Sequence, residues 1–62
     1  MCDVTAYLVS DGSEEMILEN VDLVEETAAG IKLVNIFGEE KRLSAKMVRY
    51  NNSEKKMVFV AV

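Results

Sequence analysis

Apolar and polar residues alternate along several short segments of this chain, which is the pattern of half-buried β-strands. In the first segment, one face would carry Cys2, Val4, Ala6 and Leu8, and the other Asp3, Thr5, Tyr7 and Val9. Asp11 and Gly12 follow between two apolar runs, a sequence that favours a tight hairpin turn. The pattern therefore predicts a strand over residues 4–9 that turns back into a second strand.

The second segment, residues 15–26, fits neither strict alternation nor a helical stripe. We interpret it as a strand bent near Asn20. Such a bend lets Ile17 face the core in one half of the strand and Val21 and Leu23 in the other. The competing interpretation is a helix over residues 21–29.

Four more strands are predicted from apolar runs separated by turn residues. They cover residues 31–37, 41–43, 48–50 and 56–62. Ile31, Leu33 and Phe37 would share one face, and residues 44–47 would form a single helical turn capped by Ser44. The last segment is almost entirely apolar, which indicates burial on both faces or pairing with a partner.

Short strands at intervals of roughly ten residues are typical of a small barrel or sandwich. The sequence therefore predicts an all-β fold. We expect a single domain over residues 1–62, built as a small SH3-like or Sm-like barrel. It would contain five to six short antiparallel strands and at most one short helical turn.

Composition adds an expectation of self-association, because 62 residues are few for a core and 50% of them are hydrophobic. One cysteine cannot form a disulfide within its own chain, so a homodimer is the expected source of extra stability. There is no histidine, which removes Ser/His and Cys/His catalysis. We expect a protein that is not an enzyme.

Cellular location follows from what the sequence lacks. No basic segment leads into a long apolar one near Met1, and no apolar run approaches the ~20 residues that span a bilayer. A lone thiol is best preserved in a reducing compartment. We therefore expect a cytoplasmic protein with no membrane function.

Cys2 is the candidate metal ligand, because it lies one peptide bond from the amino terminus. The Met1 amine, the Cys2 amide nitrogen and the Cys2 sulfur can close two fused five-membered chelate rings on one ion. If Met1 is removed, amine and thiolate still chelate. This donor set suits square-planar Ni(II) or Cu(II) better than Zn(II). The alternative is that Cys2 is a small core residue.

Other possible ligands are weaker. Asp3 could lend an oxygen, but strand alternation points it away from Cys2. The thioethers of Met16, Met47 and Met57 are interpreted as core filler. The adjacent pairs Glu14-Glu15, Glu25-Glu26 and Glu39-Glu40 are interpreted as solvated charges, since neighbours on a strand face opposite ways.

Several of these segments together resemble the CooT family over essentially the whole chain. The shared features are Met1-Cys2, the first strand, Asp11-Gly12, and the sequence Leu-Val-Asn-Ile-Phe-Gly-Glu-Glu at residues 33–40. The resemblance implies a small cytoplasmic accessory protein for nickel insertion into carbon monoxide dehydrogenase. It implies a homodimer in which Cys2, following Met1, binds nickel, and a nickel enzyme or its maturation factors as partner.

Two functions of other classes stay open. Sm-like barrels often bind RNA, and proteins of this resemblance have been labelled RNA-binding on that analogy. The basic residues Lys41, Arg42, Lys46 and Arg49 would have to gather on one face, whereas a net charge of −4 opposes nucleic acid. The other function is an interaction module that adds residues 57–62 to a partner's sheet.

Overall fold

The computed structural model describes residues 3–62, and the fold over them is all-β, as predicted. The six strands are β1 Val4–Ser10, β2 Ser13–Thr27, β3 Gly30–Asn35, β4 Glu40–Leu43, β5 Ala45–Asn51 and β6 Lys56–Ala61. No helix occurs among these residues. The expected helical turn over residues 44–47 is wrong, as is the alternative of a helix over residues 21–29.

The β1–β2 hairpin has the tight turn that Asp11 and Gly12 predict. Ser10 pairs with Ser13, and the two residues between them have φ of 54° and 75°. Positive φ at both central residues defines a turn whose twist matches that of the flanking strands.

β2 is bent at Asn20, which has a φ of 56°, and its register with β3 shifts between Val21 and Leu23. The bend confirms the interpretation of this segment as one strand with a phase change. The inward residues differ in part from the expected ones. Leu18 and Val21 are buried, but Leu23 is 46% exposed. The bulge at the bend inserts an extra residue into β2, and this changes which of the following side chains face inward.

The strands form one mixed sheet in the order β4-β3-β2-β1-β6-β5. Every neighbouring pair is antiparallel except β1 and β6, which are parallel. The sheet is not closed by hydrogen bonds between β4 and β5. These end strands are nevertheless joined by Ser44 alone, so the sheet must curl until its two ends lie close together.

The core fills the inside of this curled sheet. Its buried side chains are Val4, Ala6, Leu18, Val21, Ile31, Leu33, Ala45, Met57 and Phe59. β6 lies between β1 and β5, and Val58 is also buried, so this strand is covered on both faces as its composition indicates. An interior strand has no free edge. The proposed addition of residues 57–62 to a partner's sheet is therefore wrong.

Phe37 does not share the face of Ile31 and Leu33. β3 ends at Asn35, and Phe37 is 71% exposed. The third inward residue of the strand is Asn35, which is 4% exposed. The strand predicted over residues 31–37 is too long, because a turn centred on Asn35 ends β3 two residues earlier.

Candidate metal centre

Met1 and Cys2, the predicted metal ligands, lie outside the described residues. The chain that follows them is held on both sides. Val4 is buried and pairs with Val21 of β2, and the Thr5 amide donates to the Lys55 carbonyl oxygen at 2.9 Å. The candidate ligands thus precede a strand whose first residues are fixed by β2 and by the turn before β6.

Asp3 is the described residue nearest to Cys2, and it is exposed. Its exposure agrees with a solvated carboxylate. Val4, Ala6 and the partly buried Leu8 face the core, which confirms the predicted inward face of β1 for the residues described.

The three methionines that could donate thioethers occupy different places. Met57 is buried in the core, as filler should be. Met16 is 50% exposed on β2, and Met47 is exposed on β5, so the prediction that both fill the core is wrong. Met16 pairs with Tyr7 on the face of β1 opposite the core residues Ala6 and Leu8, and Met47 is on an edge strand.

The paired glutamates do not form carboxylate dyads. Glu14 binds the Lys56 ammonium at 2.8 Å, and Glu40 binds Lys32 at 3.5 Å and Arg42 at 3.0 Å. Glu39 instead accepts a hydrogen bond from the Asn35 side chain at 2.6 Å. Three carboxylates interpreted as simply solvated are therefore engaged with protein groups.

Two of these ion pairs change proton affinities. The hydrogen bond from Arg42, with the charge of Lys32 acting in the same sense, lowers the pKa of Glu40. The hydrogen bond with Glu14 raises the pKa of the Lys56 ammonium. Lys56 also lies 4.8 Å from the centre of the Tyr7 ring. These contacts link β2 to β6 across β1 and tie β3 to β4.

Within residues 3–62 no three histidine, cysteine or acidic side chains come together as a metal site. Met1 and Cys2, which lie outside that range, remain the candidate centre predicted from the sequence. The amine, amide nitrogen and thiolate of that pair would supply three of the four positions around a square-planar ion. Over the same described part of the chain, no helix is long and apolar enough to cross a membrane.

Asn35 organises the loop before β4 through its side chain, a role that the pattern of apolar and polar residues does not indicate. Its amide oxygen accepts hydrogen bonds from the Phe37 amide at 3.0 Å and the Glu39 amide at 2.9 Å. An Asn followed three residues later by Gly38, which has a φ of 84°, is a turn signal that could have located it.

The basic residues considered for RNA binding are not gathered on one face. Lys41 and Arg42 are neighbours on β4, so their side chains leave the strand on opposite sides. Lys41 lines a groove with Phe37 and Met16, whereas Arg42 lines a separate groove with Ser44. The gathering of all four basic side chains on one face, which the RNA-binding alternative requires, is therefore not found.

Comparisons with known proteins agree with one another. Residues 1–59 match the sequence model of a family described as CooT, CO dehydrogenase accessory protein. A crystal structure provisionally described as CooT from Carboxydothermus hydrogenoformans superimposes with a TM-score of 0.90. It is 33% identical in sequence, and the match covers 98% of each chain. No relative was found among curated proteins.

Proposed function

The chain belongs to the CooT family of CO dehydrogenase accessory proteins, and from this premise we propose that it binds Ni(II) as cargo for the maturation of a nickel enzyme. It acts in the cytoplasm as a homodimer and is not itself an enzyme. The ligands are the amino-terminal amine, the Cys2 amide nitrogen and the Cys2 thiolate.

The donor set explains the choice of ion. A thiolate and two nitrogens on one short stretch of backbone form two five-membered rings, which favour a planar arrangement around Ni(II) or Cu(II) over the tetrahedron of Zn(II). Binding requires loss of protons from the amine, the amide and the thiol. Affinity should therefore rise with pH across the neutral range.

The observation that carries the proposal is the position of Cys2 in the sequence. It lies in the region that matches the family model and shortly precedes β1, whose first residues are fixed. The family match includes Met1 and Cys2. Asp3 is exposed and Val4 is buried, so the chain reaches the protein surface directly before β1. The cargo would thus be held at the surface where β1 begins, and a second protein could reach it.

Exposed apolar side chains support the homodimer. Leu23 lies two residues beyond the Val21 that pairs with Val4, and it is nearly half exposed. Ile36 and Phe37 are also exposed on the loop after β3. A chain of this size has little apolar surface to spare, and burying such residues against a second copy would stabilise it.

The test is titration of untagged protein with Ni(II), recording the thiolate-to-metal charge-transfer absorption. We expect saturation for the wild type and loss of the band for Cys2→Ser. Asp3→Asn is the matched control, because it changes the adjacent polar residue but leaves the three donors intact, and its titration should match the wild type. Intact mass measurement shows whether Met1 is present.

A second arm tests the amine. A Gly-Ser extension ahead of Met1 moves the free amine away from the thiolate, so it should weaken Ni(II) binding while the unfolding midpoint stays unchanged. Undiminished affinity with the extension would show that the amine is not a ligand. Undiminished binding by Cys2→Ser would overturn the proposal as a whole.

A further inference from the structure

β5 forms one end of the sheet and has a hydrogen-bonded neighbour, β6, on one side only. Its first residue, Ala45, is buried, but residues 46–50 are all exposed. A strand at the end of a sheet leaves a row of backbone amide and carbonyl groups without a strand partner. Residues 46–50, which we name the β5 edge, thus offer backbone hydrogen bonds together with exposed side chains.

One face of the β5 edge is apolar. Met47 is paired with Phe59 and Tyr50 with Met57, and both partners on β6 are buried in the core. Met47 and Tyr50 therefore lie on the core side of the sheet, where they are 39% and 43% exposed. They extend the core to a rim that no further strand covers in the described residues.

The opposite face of the β5 edge is basic. Lys46 pairs with Val60 and Arg49 with Val58, which is outside the core cluster. The register shift between Met47 and Arg49 absorbs Val48 as an extra residue, so both basic side chains fall on the outer face. Among the described residues neither of them makes an ion pair.

The other end strand, β4, lacks this combination. It has four residues, and Glu40 within it already binds Lys32 and Arg42. Its basic charge is therefore partly neutralised by its own neighbours. The β5 edge is the longer of the two end strands and the one whose positive charges are free to meet a ligand.

A second copy of this chain is a poor occupant of the β5 edge. Two copies of β5 paired about a two-fold axis would share one continuous sheet and keep the same faces. Lys46 and Arg49 would then meet Lys46 and Arg49 of the second copy. Like charges on neighbouring strands oppose pairing, which is how natural edge strands avoid self-association.

We propose that the β5 edge binds an extended segment of a different protein by strand addition, in which apolar and acidic side chains alternate. The backbone of the segment would pair with residues 46–50. Its apolar side chains would cover Met47 and Tyr50, and its acidic side chains would lie beside Lys46 and Arg49. The interaction is separate from nickel binding, since β6 lies between β5 and β1.

The test uses dye-labelled eight-residue peptides and fluorescence anisotropy. A peptide of alternating valine and glutamate should bind, and one of alternating valine and lysine should bind about tenfold more weakly. Methylating the backbone nitrogens along one edge of the acidic peptide removes its ladder donors. Both N-methylated forms, one for each edge of the peptide, are measured, and at least one should fail to bind.

Variants locate the binding. The Lys46→Glu, Arg49→Glu double variant should lose about tenfold in affinity for the acidic peptide and gain affinity for the lysine peptide. The matched control, Lys32→Glu with Lys41→Glu, makes the same change of charge on β3 and β4 and should keep the original preference. Thermal unfolding checks that all variants fold. Nickel titration of the Lys46→Glu, Arg49→Glu variant should give the wild-type result.

Four outcomes would overturn the proposal. An equal loss of affinity for the acidic peptide in both double variants would show that only overall charge matters. Full binding by both N-methylated peptides would exclude strand addition. Tighter binding of single-stranded RNA than of the acidic peptide would assign the basic face to nucleic acid. A dimer that separates when Val48 is changed to lysine would assign the edge to self-association.

Discussion

Asn35 carries out two structural tasks at one position. It is the one buried polar side chain in the described part of the chain, and it closes β3 by holding the amides of Phe37 and Glu39. Its own amide nitrogen donates to Glu39, and no buried side-chain nitrogen or oxygen among the described residues lacks a partner. The loop is thus held mainly by the Asn35 side chain, together with a hydrogen bond from the Ile36 amide to the Asn20 carbonyl oxygen.

Asn35→Ala should destabilise the fold by about 2–3 kcal/mol, because two backbone donors lose their acceptor in a partly buried loop. Urea unfolding followed by circular dichroism measures the change. Asn52→Ala is the control, since Asn52 is exposed and its bonds to Tyr50 and Lys55 are at the surface. We expect the control to cost less than about 0.5 kcal/mol. Equal losses would show that Asn35 is not special.

At the scale of elements, the close approach of β3 to β4 depends on Gly30. This residue has a φ of 138°, and a β-carbon there would collide with the Leu43 carbonyl oxygen. Leu43 is the last residue of β4, directly before the Ser44 link to β5. The curl of the sheet therefore needs glycine at the start of β3.

Gly30→Ala should cost about 2 kcal/mol or more, from the left-handed backbone and the overlap together. Gly12→Ala is the matched control: its φ is 75°, but nothing lies within 4 Å of the added methyl. Strain alone should cost the control about 1 kcal/mol. Unfolding midpoints of the two variants measure both losses of stability. Equal losses would show that the close approach of Gly30 to Leu43 does not matter.

The elements that sequence predicts well are those specified by local chemistry. Asp11-Gly12 defines its turn through backbone preference, and the phase change around Asn20 marks the bend of β2. Residues 44–47 mislead because serine, alanine, lysine and methionine favour a helical turn locally. Pairing of Ala45 with Ala61, and a hydrogen bond from the Val62 amide to the Ser44 carbonyl, overrides that preference.

Long-range arrangements were not predictable. Nothing in the alternation of β1 and β6 indicates that they pair in parallel, and nothing in the composition of β5 marks it as an edge. The candidate metal centre, in contrast, could be proposed from the sequence. Cys2 could be singled out from its place in the chain and the resemblance to a family, while residues 3–62 add the anchored strand that follows it.

At the scale of the whole molecule, charge is divided along the chain. The first 27 residues contain eight acidic and no basic residues, and the remaining 35 contain three acidic and all seven basic ones. The Glu14–Lys56 pair joins these two parts, and Glu40 holds two basic residues of the second part. The net charge of −4 therefore conceals an acidic β2 and a basic β5.

The ion pairs give the stability a predictable pH dependence. The pKa of Glu40 is lowered in the folded protein, so its contribution is complete above the pKa of the unfolded carboxyl. That contribution is lost as pH falls through the lower folded pKa. Glu40→Gln should destabilise the protein at neutral pH and have a smaller effect at about pH 3, below the ordinary pKa of glutamate, where the contribution of the folded carboxylate is being lost.

Thermal unfolding at both pH values measures this difference, which should be small because the pair is partly exposed. Glu15→Gln is the control for the loss of one carboxylate, as Glu15 is exposed, pairs with Leu8 and makes no ion pair among the described residues. If the two variants responded to pH alike, the Arg42 and Lys32 contacts would not be the cause.

The parallel pairing of β1 with β6 has a consequence for how the protein is made. A ribosome delivers β1 first and β6 last, so a nascent chain can form the local β1–β2 hairpin but must wait for residues 56–60 before β1 gains its second neighbour. During synthesis the start of β1 is held from one side only. On the proposed mode of nickel binding, the strand that follows Cys2 gains its second neighbour only after β6 has been made, and a chain terminated before β6 would present Cys2 on an unfinished fold.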